Sequence, residues 1–573
     1  MSLELARVAL ILAPDDPYAS WYREVLEHWG IPHELGNHET FKKRFDYDVL
    51  ILAGVSEVPY GFDRLLGEYV EKGGAILVSG STWGLDRLLG VTPRAGGARP
   101  ASETLSPVSP TLSPVSPTDR AWPTGAPSAK SLGGVYVDAT DSQVLVTFSN
   151  GTAAATRKPR AYYFAPHVGT TCALFQMGRS IECDGIGPND GTAILDDGCL
   201  TADDGIPFSF EQDRETTPEC STPFFGTPHA DLVKEIFIRQ VIETIESTEK
   251  RFVIYWPWPD NADGVACLTV DCPEFSTEGF SNLANLCSMI GCPASWIVGH
   301  PGYGLDTYRT IRRADHELGL LASAEGGGSA EERLKILHVA LARASGFASL
   351  PVVRFEGGAW HGYDHLYEVA ETAGCKISVA KGGRHPGTSG FTFGTCHPFF
   401  PQRRDGMSRK VMELPYVGFQ PGVVTPETAL PTLAERVATR HGCLHVAVQT
   451  DLSRSQAASV GIRGFVTAAR QFRLETVLAG SLQIRERLRR TLRQSSWFDA
   501  PRAGIKLIAE DDLDGLTLLF LGGGAQATAK GFKTATQTVQ RLGATWTAAT
   551  VDLGSKTPLE VVFDLSDAGV RAA

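Results

Sequence analysis

The sequence predicts an α/β protein of three units: a parallel sheet covered on both faces, a (β/α) barrel and a small C-terminal β-rich domain. The chain has 573 residues, enough for three or four units at about 100 to 200 residues each. Short apolar runs alternate with helical periodicity through two long stretches, the pattern of parallel strands joined by crossover helices. The last stretch, Ile505 to Val570, instead carries short alternating strands such as Leu516 to Leu521 and Leu559 to Phe563, which reads as a β-rich appendage.

In the first unit, residues 1–250, Val8 to Leu12 is a buried strand. The helix Tyr18 to Trp29 follows, with Trp21, Val25 and Trp29 recurring every four residues. The run Val49 to Ala53 leads to a helix from Phe62 to Lys72, stopped by Gly73 and Gly74, and then to the strand Ala75 to Ser79. Residues 92–129 shift to Pro, Ser, Thr, Ala and Gly and hold a tandem repeat, TLSPVSP at Thr104 to Pro110 and again at Thr111 to Pro117. Little in this composition can offset chain ordering by burial, so it predicts an exposed, disordered, polyproline-like insertion. Strand alternation resumes from Val135 to Phe148, and the amphipathic helix Ala230 to Glu246 closes the unit.

The second unit, residues 251–497, opens on Trp256-Pro-Trp258-Pro and the buried strand Val265 to Val270. Strand and helix pairs then continue through Ala294 to Val298, Thr307 to His316, Val352 to Phe355, Tyr363 to Ala373 and Leu444 to Val448. A stretch of this length fits a barrel better than a small open sheet. The basic run Arg485 to Arg493 lies over Ile484, Leu488 and Leu492 and reads as the solvated face of the last helix. Residues 498–573 form the third unit.

Lys and Arg number 53 and Asp and Glu 65, a formal charge of −12, which argues against nucleic acid or an anionic membrane as partner. No apolar run reaches the ~20 residues of a membrane span and no leader pattern opens the chain, so the expected location is cytoplasmic. The eleven cysteines include no C-x-x-C pair, which fits reduced buried thiols. Asp196-Asp197-Gly198 and Asp203-Asp204-Gly205 lack calcium-loop spacing and read as turns.

Gly80-Ser81-Thr82-Trp83-Gly84 follows a strand in the shape of a nucleophile elbow, with Thr82 where Ser or Cys would stand. The first domain resembles the class I glutamine amidotransferase-like fold, flavodoxin-like in order. No cysteine precedes Cys172, so the resemblance stops short of a glutaminase nucleophile, and a structural or ligand-shaping role is expected.

The second unit is more informative. Leu268-Thr269-Val270-Asp271-Cys272, Asp315-His316-Glu317-Leu318-Gly319-Leu320, Arg354, Gly394-Thr395-Cys396-His397-Pro398 and Glu413-Leu414-Pro415 resemble, in that order, the polysaccharide deacetylase family. The resemblance implies a distorted (β/α)7 barrel, a catalytic and a metal-binding Asp at the end of the first strand, and two metal-binding His four apart. It further implies an orienting Arg and a late His acting as acid. A divalent ion would polarise the acetyl carbonyl while the first Asp takes the proton of water. Carried over, Asp271 stands at the base and Arg354 at the orienting position. Cys272 replaces the metal-binding Asp, Leu321 and Glu325 replace the two His, and Gln449 replaces the late His. These six are expected to converge at one end of the barrel.

Two readings follow. In one, a deacetylase-like hydrolase acts on N- or O-acetyl groups of a carbohydrate. In the other, an inactive relative binds glycan or a partner protein. No metal is expected by the usual pattern, but His361 and His365, spaced i, i+4 just after Arg354, could hold a divalent ion with Cys272, Glu325 or His397. Glu356, Trp360, His397 and Gln449 are expected to contact substrate. Trp256, Trp258, Trp296 and Tyr363 are further stacking candidates.

Overall fold

Val49–Gly54 and Ala75–Gly80 are buried along their whole length, as strands covered on both faces must be. In the computed structural model, which describes residues 5–36, 46–98, 111–115, 120–194, 196–273, 275–323, 329–450 and 456–566, they lie in an eleven-stranded sheet. Its parallel half runs Glu34–Gly36, Val8–Leu12, Val49–Gly54, Ala75–Gly80, Ala161–Phe164. Antiparallel strands Ala153–Lys158 and Gln143–Phe148 extend it. Trp21, Val25 and Trp29 are each at most 1% exposed and anchor the helix Ser20–His28. The long helix His229–Glu246 packs on the same sheet.

The repeat-bearing segment departs from expectation. Val91–Ala98 pairs with Val135–Ala139. The second repeat copy supplies the strand Thr111–Pro114, held between Gln143–Phe148 and Ala129–Lys130. Leu112 is fully buried and Trp122 nearly so. An open sheet edge offers unpaired backbone groups that even a Ser/Pro-rich segment can satisfy when one apolar side chain reaches the core. The first copy, at 104–110, lies outside the described residues.

In the second unit, eight parallel strands follow one another in chain order: Val265–Cys272, Ser295–Val298, Glu317–Ala322, Val352–Phe355, Ile377–Ser378, Met412–Glu413, Gly418–Phe419 and Cys443–Gln449. Glu475–Val477 adds a ninth, beside the start of the first. The expected count of seven is therefore exceeded. The sheet curls from Met412–Glu413 round to Gly418–Phe419 with no ladder between those two among the described residues, leaving an open half-barrel. α-Helices return the chain between most of these strands, though not between Ile377–Ser378, Met412–Glu413 and Gly418–Phe419. The first, Thr277–Ile290, is capped by the Ser276 hydroxyl accepting from the Gly279 N–H at 3.1 Å and ends at Gly291 with φ +66°.

The last helix, Ala479–Arg490, corrects the expected solvated basic face. Arg489 is 3% exposed and pairs with Glu486 at 2.7 Å, while Arg490 reaches Glu24 at 2.6 Å and Glu27 at 3.1 Å on the first helix. Ile484, expected inside, is 51% exposed. The N-terminal unit covers this helix, and the burial of its arginines is offset by Glu24 and Glu27 of that unit for Arg490 and by Glu486 of the helix itself for both.

The C-terminal unit has two antiparallel sheets enclosing their own core, with Phe520 and Phe563 stacked at 4.6 Å. One sheet takes in Val253–Tyr255 from before the barrel. The other begins with Arg493–Asp499, which crosses the expected boundary after residue 497.

Candidate functional site at the open end of the barrel

The register fixes which side chains meet at the C-terminal ends of the parallel strands. Asp271 lies beside Gln449 and Ile297, Cys272 beside Val298, and Leu321 beside Arg354. Asp271 and Arg354 meet across the barrel: Arg354 Nη1 donates to Asp271 Oδ2 at 3.0 Å and Nη2 to Thr269 Oγ1 at 3.1 Å. The Thr269 hydroxyl is 3.1 Å from His445 Nε2, and His445 Nδ1 is 3.0 Å from the Leu414 carbonyl. A carbonyl only accepts, so His445 carries its proton on Nδ1, Nε2 accepts from Thr269, and the Thr269 oxygen is left for Arg354. Burial pushes His445 down to about 3, with Arg354's charge adding to it, which agrees with that neutral tautomer.

The Arg354 guanidinium lies 4.9 Å from the centre of the Tyr416 ring, and Arg384 lies 5.0 Å from that of Phe419. Asp271 is 3% exposed. Burial raises its pKa, against the opposing pull of Arg354 and Arg384. Its Oδ1 has no hydrogen-bond partner among the described residues. The site therefore holds a buried carboxylate with one oxygen clamped and one open.

Beside it is a cleft of about 340 Å³, lined by Cys272, His300, Leu321 and Glu356 among others. These come from the ends of the first four strands in turn, the end at which (β/α) barrels place ligands. The divalent ion implied by the deacetylase resemblance does not fit the residues present. Leu321 offers only hydrocarbon. Burial, with Asp271's charge adding to it, pushes the Cys272 thiol well above its ordinary range, so without an ion it is protonated, and beside Leu321 it leaves a single ligand where a catalytic ion takes three. Glu325 lies outside the described residues. Gln449 accepts a hydrogen bond from Gln420.

Other expected positions fall elsewhere. Trp360 is 1% exposed, with Lys381 Nζ 4.5 Å from the centre of its ring and Tyr367 edge-on at 4.7 Å. It packs the core and has no face left for a sugar. Trp256, Trp258 and Trp296 are equally buried, while Tyr363 is half-buried. His397 lies at the junction with the first unit, 4.6 Å from His28 in a stacked pair. Among the described residues, His361 and His365 join no cluster of metal-capable side chains. His316 and Glu317 hold the barrel together: Glu317 accepts from the Gly480 N–H at 2.9 Å at the start of the last helix, and His316 Nδ1 accepts from the Ala294 N–H at 3.1 Å.

Thr269, His445, Tyr416 and Arg384 were not singled out in the sequence. Two of them carried a signal. Thr269 is two residues before Asp271, on the same side of its strand, and His445 is the polar residue inside the apolar run Leu444 to Val448.

In the first unit, Trp83 takes φ +54° at the turn after Ala75–Gly80 and is fully buried, its indole N–H donating to the Gly54 carbonyl at 2.9 Å. Thr82 is 7% exposed and the Ser81 hydroxyl is tied to the backbone of Gly54 and Ser56. No exposed nucleophile stands at this turn. Asp204 satisfies its own loop, accepting from the Thr201 N–H at 2.7 Å, as a turn residue does.

No protein-family model matches the chain, and no curated protein does. Among solved structures, the chain is similar to Agd3, a carbohydrate deacetylase, over 98% of its own length and 99% of that chain, with TM-score 0.43 and 11% identity. It is also similar to a family 4 carbohydrate esterase from Bacillus anthracis, over 39% of this chain and 85% of that one, with TM-score 0.25 and 8% identity. A mutant of BA3943, described as a CE4 family pseudoenzyme with restored enzymatic activity, aligns over 39% and 68% with TM-score 0.25 and 11% identity. Scores this low leave the reading of the site to its own residues. No helix among the described residues is long and apolar enough to cross a membrane.

Proposed function

We propose that the protein binds an acetylated carbohydrate at the open end of its barrel and does not carry out ordinary metal-dependent deacetylation there. The observation that carries this is Cys272 and Leu321 lining one cleft beside the Asp271–Arg354 pair. The positions that would hold an ion now offer a protonated thiol and a methyl-bearing surface, which suit contact with an acetyl methyl group. Asp271 Oδ1 is left to accept from a sugar hydroxyl or amide N–H, with Arg354 holding the carboxylate in place. Glu356 at the rim and Gln449 beside Asp271 supply further polar contacts.

A second reading, hydrolysis of the acetyl group with Asp271 as base and Arg354 orienting it, draws support from one feature. A buried carboxylate with a raised pKa and a free oxygen is what a general base requires. In both readings the first unit serves as an amidotransferase-like scaffold without glutaminase chemistry, and the protein acts in the cytoplasm on a short or precursor sugar.

Calorimetric titration with acetylated and deacetylated chitooligosaccharides, run with an acetate-release assay in the presence of zinc, nickel, cobalt or manganese, separates these. The first reading expects binding that favours the acetylated sugar, with no acetate released. Acetate release that Asp271→Asn abolishes would establish the second. Absence of any preference for the acetylated sugar overturns both.

A further inference from the structure

A second buried cluster lies where the helix His229–Glu246 of the first unit meets the barrel segment Thr395 to His397. Asp231, Cys396 and His397 are each at most 1% exposed, and one potential ligand atom from each lies within 4.8 Å of the other two. Cys396 Sγ is 3.3 Å from Asp231 Oδ2, and His397 Nδ1 is 3.3 Å from Asp231 Oδ1. Donors at about 2.0 to 2.3 Å from one tetrahedral ion stand about 3.3 to 3.5 Å apart, so each of these two contacts, one to each oxygen of Asp231, has the spacing of a pair of ligands.

The histidine points the same way. His397 Nε2 is 2.7 Å from the Arg440 carbonyl and must donate its proton there. Nδ1 is thereby left as a bare lone pair, fully buried and without a hydrogen-bond partner among the described residues. It faces Asp231 Oδ1, the oxygen that also takes Lys234 Nζ and the Thr395 hydroxyl, and nothing among the described residues donates to the nitrogen itself. A histidine whose far nitrogen donates to a backbone carbonyl while its near nitrogen is free has the outer arrangement of a metal ligand. The carboxylate is oriented in the same manner, by the Thr395 hydroxyl at 2.5 Å, the Cys396 N–H at 2.8 Å and Lys234 Nζ at 2.7 Å.

We infer that Asp231, Cys396 and His397 form a structural site for a borderline-soft divalent ion, zinc by its donor set, that clips the first unit to the barrel. As the ion binds, the Cys396 S–H bond breaks, its proton leaves to solvent, and the sulfur electron pair goes to the metal. Lys234 stays on the carboxylate and offsets part of the negative charge that Asp231 and the thiolate bring together. The rival arrangement is a proton on His397 Nδ1 in place of the ion.

The test uses full-length protein stripped with a chelator and reloaded with cobalt(II) or zinc. The expected result is one ion per chain and, with cobalt, the near-ultraviolet band of a thiolate ligand. Cys396→Ser and His397→Gln lose both, whereas Cys375→Ser, a buried thiol elsewhere, and Asp271→Asn at the barrel mouth keep them. Thr395→Val, which removes only a support of the carboxylate, weakens affinity by about 10- to 100-fold. X-ray absorption on the zinc-loaded wild-type protein needs no variant and should show one sulfur neighbour. Failure of the stripped protein to take up an ion, an ion without a sulfur neighbour, or a thiolate band that survives in Cys396→Ser overturns the assignment.

Discussion

The barrel mouth and the domain junction each bury a carboxylate beside a cation, yet they leave opposite kinds of atom unsatisfied. At the mouth, Arg354 takes one oxygen of Asp271 and the other has no partner. At the junction, Lys234, Thr395 and Cys396 engage both oxygens of Asp231, and the orphan is a histidine nitrogen. An orphaned oxygen calls for a donor, as a sugar hydroxyl or amide supplies. An orphaned nitrogen lone pair beside a carboxylate calls for a cation. Buried polar groups are almost always satisfied, so the type of atom left over indicates what completes each cluster.

The largest effect is expected from breaking the mouth cluster on its cationic side. Arg354→Met leaves the Asp271 carboxylate buried without its hydrogen-bonded cation, which should cost about 3 to 5 kcal/mol of stability in chemical denaturation. Adding Asp271→Asn to that variant should restore part of the loss, because the neutral amide no longer needs the guanidinium. If the double variant is no more stable than Arg354→Met, the pair is not the electrostatic unit described. Next in size is Trp360→Ala. Removing a large core side chain should cost about 3 kcal/mol or more while sugar affinity in the folded protein stays within twofold. A selective loss of affinity would return Trp360 to the binding surface.

These two residues show how far the sequence could be read. Asp271, Cys272, Leu321 and Arg354 were placed by motif order along strands, and strand register is a local, period-two property that carries over directly to three dimensions. The surroundings of Trp360 and His397 could not be read in the same way: Lys381 covers the tryptophan, and His28, some 370 residues away by sequence number, stacks on the histidine. The same limit hid the pairing of Arg490 with Glu24 and Glu27 and the bond from Arg489 to the His28 carbonyl, on a face that looks solvated until the first unit docks on it. The strand in the second repeat copy was obscured by composition, since one leucine among prolines and serines carries little signal without the sheet edge it meets.

A smaller, pH-dependent effect follows from His445. Its folded pKa of about 3 lies below the ordinary histidine value of about 6.5. The native state therefore binds fewer protons than the unfolded chain between those values. Its contribution is fully present above about pH 6.5 and is lost as pH falls toward 3, at roughly 1.4 kcal/mol per pH unit at most. His445→Gln should flatten the fall in stability across that window. His28, His229 and His441, each held down to about 4 by burial, keep part of the slope in place. An acid-unfolding curve unchanged in His445→Gln would mean that His445 takes up its proton equally readily in the folded and unfolded states, and the tautomer argument through Leu414 and Thr269 would then fail.

The smallest effect on stability is expected at Glu356, which is exposed at the cleft rim. Glu356→Gln removes no buried partner and should change stability by less than about 0.5 kcal/mol. Because it lines the same cleft as Cys272 and Leu321, it should nevertheless weaken binding of the acetylated sugar, by about 1 kcal/mol if it makes one hydrogen bond there, or roughly fivefold in Kd. Calorimetry on the variant tests this directly. Unchanged affinity would move the bound sugar away from the first four strand ends and toward Arg384 and Phe419 on the opposite side of the barrel mouth.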